Sequence, residues 1–332
     1  MASISSPSAG NILACASALK RGELVAFPTE TVFGLGAAVD QPEAVRNIFR
    51  AKGRPSEHPL IAHVAPGASL QGWVREVTPA MQKLMDAFWP GPLTLVVPKG
   101  ECMPLEVTGG QDSVGIRCPS HPVAIELLKA TGVPVAAPSA NRFGKVSPTR
   151  ASHVLAELGD RIPCILDGEI PQVGIESTIL SLLSDPPALL RPGAITADQI
   201  SLVLGRAVTP HSEMLKDPGA SPRVSGALEK HYSPDAKVCI LQADLLPKTI
   251  LSGKVMLVGW SDEFLTQAHW LRTRFSDILV EALPNQPSEV ARVLYATLRQ
   301  ADELGCQQLV FEQPPVTGQW EAVADRLKRA SA

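Results

Sequence analysis

No apolar run in the sequence approaches the roughly 18 residues of a membrane-spanning helix, because turn residues or charges interrupt every hydrophobic stretch. Membrane insertion is therefore not expected. The stretch from Ala9 to Leu19 is apolar enough for a signal core, but no Lys or Arg precedes Lys20, so the basic flank of a targeting signal is missing. Its spacing predicts a first amphipathic helix with Ile12, Leu13, Ala16 and Leu19 turned inward. Paired cysteines are also missing. The six cysteines (Cys15, Cys102, Cys118, Cys164, Cys239 and Cys306) contain no CxxC, which suits neither a zinc ribbon nor a disulfide-dense secreted scaffold. They read as reduced thiols of a cytoplasmic protein. Nor is there an excess of positive charge: the formal net charge is -3, against tight sequence-independent nucleic-acid binding through clustered Lys and Arg, although a local basic patch is compatible with that total.

Several catalytic signatures are absent. The Gly-Lys pairs at 144–145 and 253–254 are each followed by Val, so neither closes a Walker-type phosphate cradle. Gly34 and Gly36 lead into Ala-Ala-Val rather than G-x-G-x-x-G, and no G-x-S-x-G elbow occurs. His58 with His63, and Cys118 with His121, lack the third ligand and the spacing of a zinc motif. Cys118 and His121 as nucleophile and base are disfavoured, since three residues across a Pro-containing turn point such side chains apart; a packed thiol is the simpler reading.

What is present is a chain of 332 residues, 45% hydrophobic and 19% charged, enough for two domains with buried cores. From Gly22 to about Leu204, the β-rich runs LVAF, LIAHV, LTLVV, SVGIRC, CILD and STILSL alternate with helical patterns near Pro42–Arg50, Pro79–Phe88 and Pro122–Thr131. The alternation predicts an α/β fold with a twisted mixed sheet. Residues 205–234 are rich in Pro and Gly and weakly periodic. After them AKVCIL, KVMLVGW, DILVEAL and QQLVFEQ alternate with helical segments near Glu289–Leu304 and Glu321–Ala330, predicting a small Rossmann-like α/β domain. The expected division is 1–205, a linker or lid at 206–235, and 236–332.

Three segments combine strand ends with hydroxyls, glycine and charge. The first is FPTETVFGLG, Phe27 to Gly36, which an ordinary Pro/Gly turn would also explain. The second places Arg46, Arg50, Lys52 and Arg54 between Glu43 and Glu57 with no acid between them. Such a run usually lines a solvated helix face, but Gly53 and Pro55 break the helix at Lys52 and Arg54, suiting those two to a polyphosphate. The third is VAAPSANRFGKVSPTRAS, Val135 to Ser152, in which Ser139 and Asn141 share one side of an extended segment; alone, a solvated loop accounts for it equally well. Together the three describe a nucleotide pocket at the ends of sheet strands.

The ordered set of PTET-V-aromatic-G-LG, a Lys-Gly-Arg-Pro loop followed by Pro-Leu, VGIRCP, APSAN and GIESTI closely resembles the YrdC-like threonylcarbamoyl-AMP synthase family over about residues 10–205. The linker ending in KHYSP and the small following domain resemble its long two-domain form. The resemblance implies a reaction of L-threonine, bicarbonate or CO2, and ATP giving threonylcarbamoyl-adenylate and pyrophosphate. A separate complex would then transfer the threonylcarbamoyl group to an adenosine beside the tRNA anticodon, and a weak contact of this protein with tRNA is compatible with that role. By motif position, Thr31, His63, Arg117 and Ser177 would hold threonine, Arg117 facing its carboxylate. ATP would be held by Lys52, Arg54, His58, Ser113, Ala137, Ser139, Asn141, Ser147 and Arg191, with Lys52, Arg54, Ser139 and Asn141 nearest the chemistry. Tyr232 would belong to a linker that folds over the pocket and contributes to ATP binding, excluding water from the labile adenylate.

The implied mechanism is capture of CO2 by the threonine amine, followed by attack of the carbamate oxygen on the α-phosphorus, dominated by positioning and charge stabilisation. Mg2+ would come on the triphosphate, held by phosphate oxygens and water, with no metal site of the protein's own. Phe33 stands where the family commonly has Tyr, leaving only packing, and His58 stands where Asn is common before Pro-Leu. If His58 touches phosphate, ATP binding strengthens as pH falls toward its ordinary pKa. Two competing readings are an RNA-binding protein using the Arg46–Arg54 and Arg142–Arg150 stretches, where few aromatics support base stacking, and a carbamoyl-adenylate-forming module, whose accessory zinc-finger cysteines are missing.

Overall fold

The computed structural model describes residues 2–214, 222–226, 230–315 and 317–332. The chain divides into two compact units, Met1–Phe143 with Ser147–Ala227, and Gly144–Val146 with Leu228–Ala332. The expected linker, 206–235, lies partly outside the described residues, at 215–221 and 227–229.

The first unit holds strands β1 (Ser3–Ser5), β2 (Val25–Phe27), β3 (Gly34–Ala38), β4 (Ile61–His63), β5 (Leu93–Pro98), β6 (Ser113–Arg117), β7 (Val135–Ala136), β8 (Cys164–Leu166), β9 (Thr178–Ser181) and β10 (Ala188–Arg191). They form one mixed sheet in the order β1-β8-β2-β3-β7-β4-β6-β5-β9-β10. Its helices are α1 (Ala9–Lys20), α2 (Pro42–Lys52), α3 (Pro79–Phe88), α4 (Leu105–Thr108), α5 (Pro122–Thr131), α6 (Ala151–Leu158), α7 (Ala197–Leu204) and α8 (His211–Met214). The second unit holds β11 (Lys237–Leu241), β12 (Val255–Gly259), β13 (Ile278–Ala282) and β14 (Gln308–Glu312), all parallel in the order β11-β14-β12-β13, with α9 (Asp262–Arg272), α10 (Pro287–Glu303) and α11 (Glu321–Ala330). A large mixed sheet and a small parallel one are the architecture that the strand patterns predicted. No helix among the described residues is long and apolar enough to cross a membrane.

Side chains alternate between the two faces of a strand, and here the alternation separates core from site. One face of the large sheet carries Ala26, Leu35, Ala62, Leu93, Leu95, Val97, Val114, Ile116, Ala136 and Leu180, all in a single apolar cluster. At the β1 side the opposite face is apolar as well, with Val25, Phe27, Val135 and Ala137 packed against α1 and α5. In the middle strands that opposite face instead carries His63, Thr94, Ser113 and Arg117, each two residues from an apolar or glycine neighbour of the same face. Gly36 has a steric reason in this layout, since a Cβ there would lie 2.8 Å from both the Phe27 ring and a Val135 methyl.

α1 forms as the spacing requires but is rotated from the expected face. Ser8 caps it by accepting from Asn11 N, and Ile12, Cys15, Ala16 and Leu19 are buried, whereas Leu13 is 60% exposed. The i, i+3, i+4, i+7 stripe through Ile12 includes Cys15, and Leu13 is about 100° off it. Leu19→Ala should therefore cost about 2–5 kcal/mol by the cavity it leaves, while Leu13→Ala stays within about 0.5 kcal/mol, as read by urea unfolding of the two variants.

Candidate functional site

The three segments singled out in the sequence converge. Leu35 N donates to Pro138 O (2.8 Å), Ala140 N to Phe33 O (2.8 Å) and Phe33 N to Pro148 O (2.9 Å), joining the threonine-rich loop to the Ala-Pro-Ser-Ala-Asn loop. The helix end carrying Lys52 is joined to the same loop through Phe143 N donating to Lys52 O (2.9 Å). From the same residue, the Lys52 ammonium reaches back to donate to the carbonyls of Ser139 and Asn141. The backbone oxygens of those two residues are what Lys52 holds. Lys52 is the last residue of α2, Gly53 terminates the helix with φ 63°, and Arg54 follows in the loop. Lys52 is 3% exposed, and burial, followed by the charge of Arg54, holds its pKa well below the ordinary lysine range.

The rest of the basic run does not join it. Arg46 pairs with Glu43 and Glu106, and Arg50 with Glu43 at 2.6 Å, all on the surface. Arg54 is buried, donates to Pro59 O (3.1 Å) and lies 5.8 Å from the centre of the Phe143 ring. His58 meets that ring edge-on at 5.5 Å. Burial, then Arg54, lowers the His58 pKa from 6.5, so any gain in ATP affinity from its protonation levels off below that value rather than at it.

Of the threonine-side residues, His63 and Arg117 end β4 and β6 on the polar face, Ser177 precedes β9 and Thr31 lies in the PTET turn. The Arg117 guanidinium is bound by a group that the motif reading did not include: Glu30 of the PTET turn pairs with it at 2.6 Å, with both side chains buried. Glu30 also accepts from Ser120 N (3.1 Å), and its backbone carbonyl from Val173 N (2.8 Å). Thr31 is buried, with its hydroxyl 2.8 Å from that of Thr29. His63 keeps Nδ1 3.1 Å from Ile61 O, and burial, then the Arg117 charge, drives its pKa down to about 3, leaving a neutral imidazole beside the arginine. Ser177 shares a 2.7 Å hydrogen bond with Thr94, and Arg191 donates to Ser177 O through both Nε (3.0 Å) and an Nη (2.9 Å). Ser147 donates to Glu176 (2.6 Å), both buried. Ala137 N donates to Ile61 O (3.0 Å) and Ser139 forms a bridge with Gly34. Ser113 opens β6 on the polar face.

Residues 222–226 belong to this face as well. Arg223 exchanges backbone bonds with the Gln111 side chain (2.8 and 3.1 Å), Ser225 O accepts from Arg191 (2.8 Å), and Val224 packs on Ile61, Val96 and Ile179. Tyr232 lies in the second unit, 1% exposed with φ 60°, stacked on Tyr295 at 5.4 Å and beneath the Arg326 guanidinium.

Glu30, Thr94 and Glu176 are the site residues that motif reading missed. Thr94 was legible as the polar member of Leu-Thr-Leu-Val-Val, where alternation puts a hydroxyl on a face of its own. Phe33 is fully buried in the apolar cluster, consistent with a packing role.

A mixed α/β unit with a polar face of buried hydroxyls, four buried basic side chains (Lys52, Arg54, Arg117 and Arg191) and a carbonyl-bound ammonium is the class of protein that fold and site define by themselves. The family model described as "Telomere recombination", of the Sua5, YciO and YrdC proteins, matches residues 17–193, and that described as "Threonylcarbamoyl-AMP synthase, C-terminal domain" matches 195–332. The threonylcarbamoyl-AMP synthase of Pyrococcus abyssi is 37% identical over 94% of this chain and 92% of its own, and that of Bacillus subtilis 39% identical over 96% and 92%. The crystal structure of P. abyssi Sua5 complexed with L-threonine superposes with a TM-score of 0.85 at 36% identity, covering 97% of this chain and 94% of the other. The chain belongs to the threonylcarbamoyl-AMP synthase family in its long two-domain Sua5 form, a family of nucleotidyltransferase-type enzymes.

Removing one partner of the Glu30–Arg117 pair leaves a buried charge uncompensated. Glu30→Gln and Arg117→Met should each cost about 3–5 kcal/mol, and the double variant should be markedly more stable than the sum of the two losses, measured by urea unfolding. His63 gives a pH effect of definite sign. Its folded pKa of about 3 lies below the ordinary 6.5 of the unfolded chain, so the unfolded state takes up the proton first and stability falls as pH drops from 6.5 toward 3. In His63→Asn that slope should shrink by up to one proton, about 1.4 kcal/mol per pH unit, in stability measured across this range.

Proposed function

We propose that the protein condenses L-threonine, CO2 or bicarbonate, and ATP into L-threonylcarbamoyl-adenylate with release of pyrophosphate. The product would pass to a separate complex that completes the threonylcarbamoyladenosine beside a tRNA anticodon. The observation that carries this reading is the joining of Lys52, Arg54 and the Ser139–Asn141 loop to the PTET turn that holds Thr31, together with a sheet face bearing His63 and Arg117 and bordered by Ser177. The solved relative with L-threonine bound supports an amino acid as one substrate.

In this reading Arg117 meets the threonine carboxylate, with Glu30 fixing the guanidinium plane and Thr31 and Ser177 offering hydroxyls. The threonine amine, having lost its ammonium proton, captures CO2 and releases a second proton to water as the carbamate forms. One carbamate oxygen then forms a bond to the α-phosphorus as the bond to pyrophosphate breaks. Lys52 and Arg54 act on the charge that gathers on the phosphate oxygens, with Arg191 on the same polar face. Ser139, Asn141, Ser147, Ser113, the Ala137 backbone and His58 are assigned to ATP. Neutral His63 orients without competing for the carboxylate's partner. Mg2+ is proposed to arrive with ATP as part of the substrate, bound by phosphate oxygens and water.

A pure RNA-binding role finds less support, because Arg46 and Arg50 are engaged by Glu43 and Glu106. The test is incubation with ATP, Mg2+, bicarbonate and L-threonine, with threonine omitted in parallel. Threonine-dependent adenylate with matching pyrophosphate is expected. Lys52→Ala should lower kcat/KM by about 10²–10³, whereas Arg46→Ala leaves it unchanged. ATP consumption that ignores threonine would contradict the proposal.

A further inference from the structure

Cys15 and Cys164 are 149 residues apart in sequence, yet their sulfurs lie 2.9 Å from each other, Cys15 in α1 and Cys164 at the start of β8. That is less than an ångström beyond a disulfide bond of about 2.0 Å. Both are free thiols here. Cys15 is buried and Cys164 only partly so, and the pair therefore has one sulfur more open to a small oxidant and one sheltered beside it. We propose that Cys164 and Cys15 are an oxidation site at which a peroxide closes a reversible disulfide between α1 and β8.

The proximity of the sulfurs sets their roles. The hydrogen bond from Cys15 draws the Cys164 thiol down to about 7, while the same contact and burial push Cys15 upward. Cys164 is thus the thiolate that meets the oxidant and Cys15 the resolving thiol. The Cys164 thiolate attacks one peroxide oxygen, the O–O bond breaks, and the released hydroxide takes up a proton to leave as water, giving a sulfenic acid. The Cys15 sulfur then attacks the sulfenic sulfur, its proton departs with the hydroxyl as a second water, and the disulfide forms. Two thiols are oxidised and one peroxide is reduced. The crosslink ties α1 to the sheet, bracing the cluster that contains Phe27 and Ala137, one just before the PTET loop and the other at the head of the Ser139–Asn141 loop. Closing so long a loop restricts the unfolded chain and should stabilise the fold.

The experiment treats the reduced full-length protein with graded hydrogen peroxide, blocks remaining thiols and maps the peptides by mass spectrometry. A peptide joining Cys15 to Cys164, two hydrogens lighter than the separate thiol peptides and reversed by dithiothreitol, is expected, with a thermal midpoint raised by several degrees. A sulfenic-acid probe should mark Cys164 in Cys15→Ser and not in the unaltered protein. Should Cys15→Ser fail to fold, the peptide map of the unaltered protein decides alone. Recovery of Cys15 and Cys164 as free thiols at peroxide levels that have oxidised the exposed Cys102, or pairing of either with another cysteine, would overturn the proposal.

Discussion

A lysine ammonium taken out of water has to find its hydrogen bonds inside the protein, and the site is built around the way Lys52 does so. Its three donors have the carbonyls of Ser139 and Asn141 within reach, and its own backbone oxygen accepts from Phe143. The end of α2 and the loop after β7 are therefore one object. The loop is bonded in turn to Phe33 and Leu35, so the threonine-rich turn is held by the same arrangement. Arg54 and Lys52 depress each other's tolerance for burial, and Glu157 and Glu176 lie near enough to Lys52 to offset part of that cost. Such a charge is poised to gain from an incoming polyanion, which supplies the compensation that the folded chain gives only in part.

The strand runs and the three longer helical patterns of the first unit were legible because local alternation and Pro or Gly punctuation agreed with the final structure. α3 and α5 begin at a Pro in the first helical position and have the bounds that the pattern indicated. Three strands outside those runs were not legible. β3 is Gly-Leu-Gly-Ala-Ala, weak in β-formers, and exists because Gly36 lets Phe27 and Val135 close over it. β1 and β10 have three and four residues and are fixed by pairing to β8 and β9, which no local window contains. The inward face of α1 was misjudged by one residue, enough to exchange Leu13 for Cys15.

The candidate site was legible where a motif advertised itself and hidden where only pairing in space defines the role. Lys52, Arg54, Ser139 and Asn141 stood out by composition beside helix and strand ends. Arg46 and Arg50 stood in the same run, but Glu43 lies one turn from Arg46 and two from Arg50 on the same helix and Glu106 comes from α4, so their charge is spent on the surface. Glu30 read as one letter of a turn. Its meaning comes from Arg117, 87 residues on at the end of β6, and a buried ion pair between such distant positions leaves no local trace.

The most direct test of the account is an NMR titration of protein carrying carbon-13 at the lysine side chains, with Lys52 assigned from its absence in Lys52→Met. The account predicts that Lys52 titrates well below the ordinary 10.5 in the free protein and moves upward when ATP is added, as a neighbouring polyanion favours the charged form. A Lys52 that titrates at the ordinary lysine value and ignores ATP would contradict it.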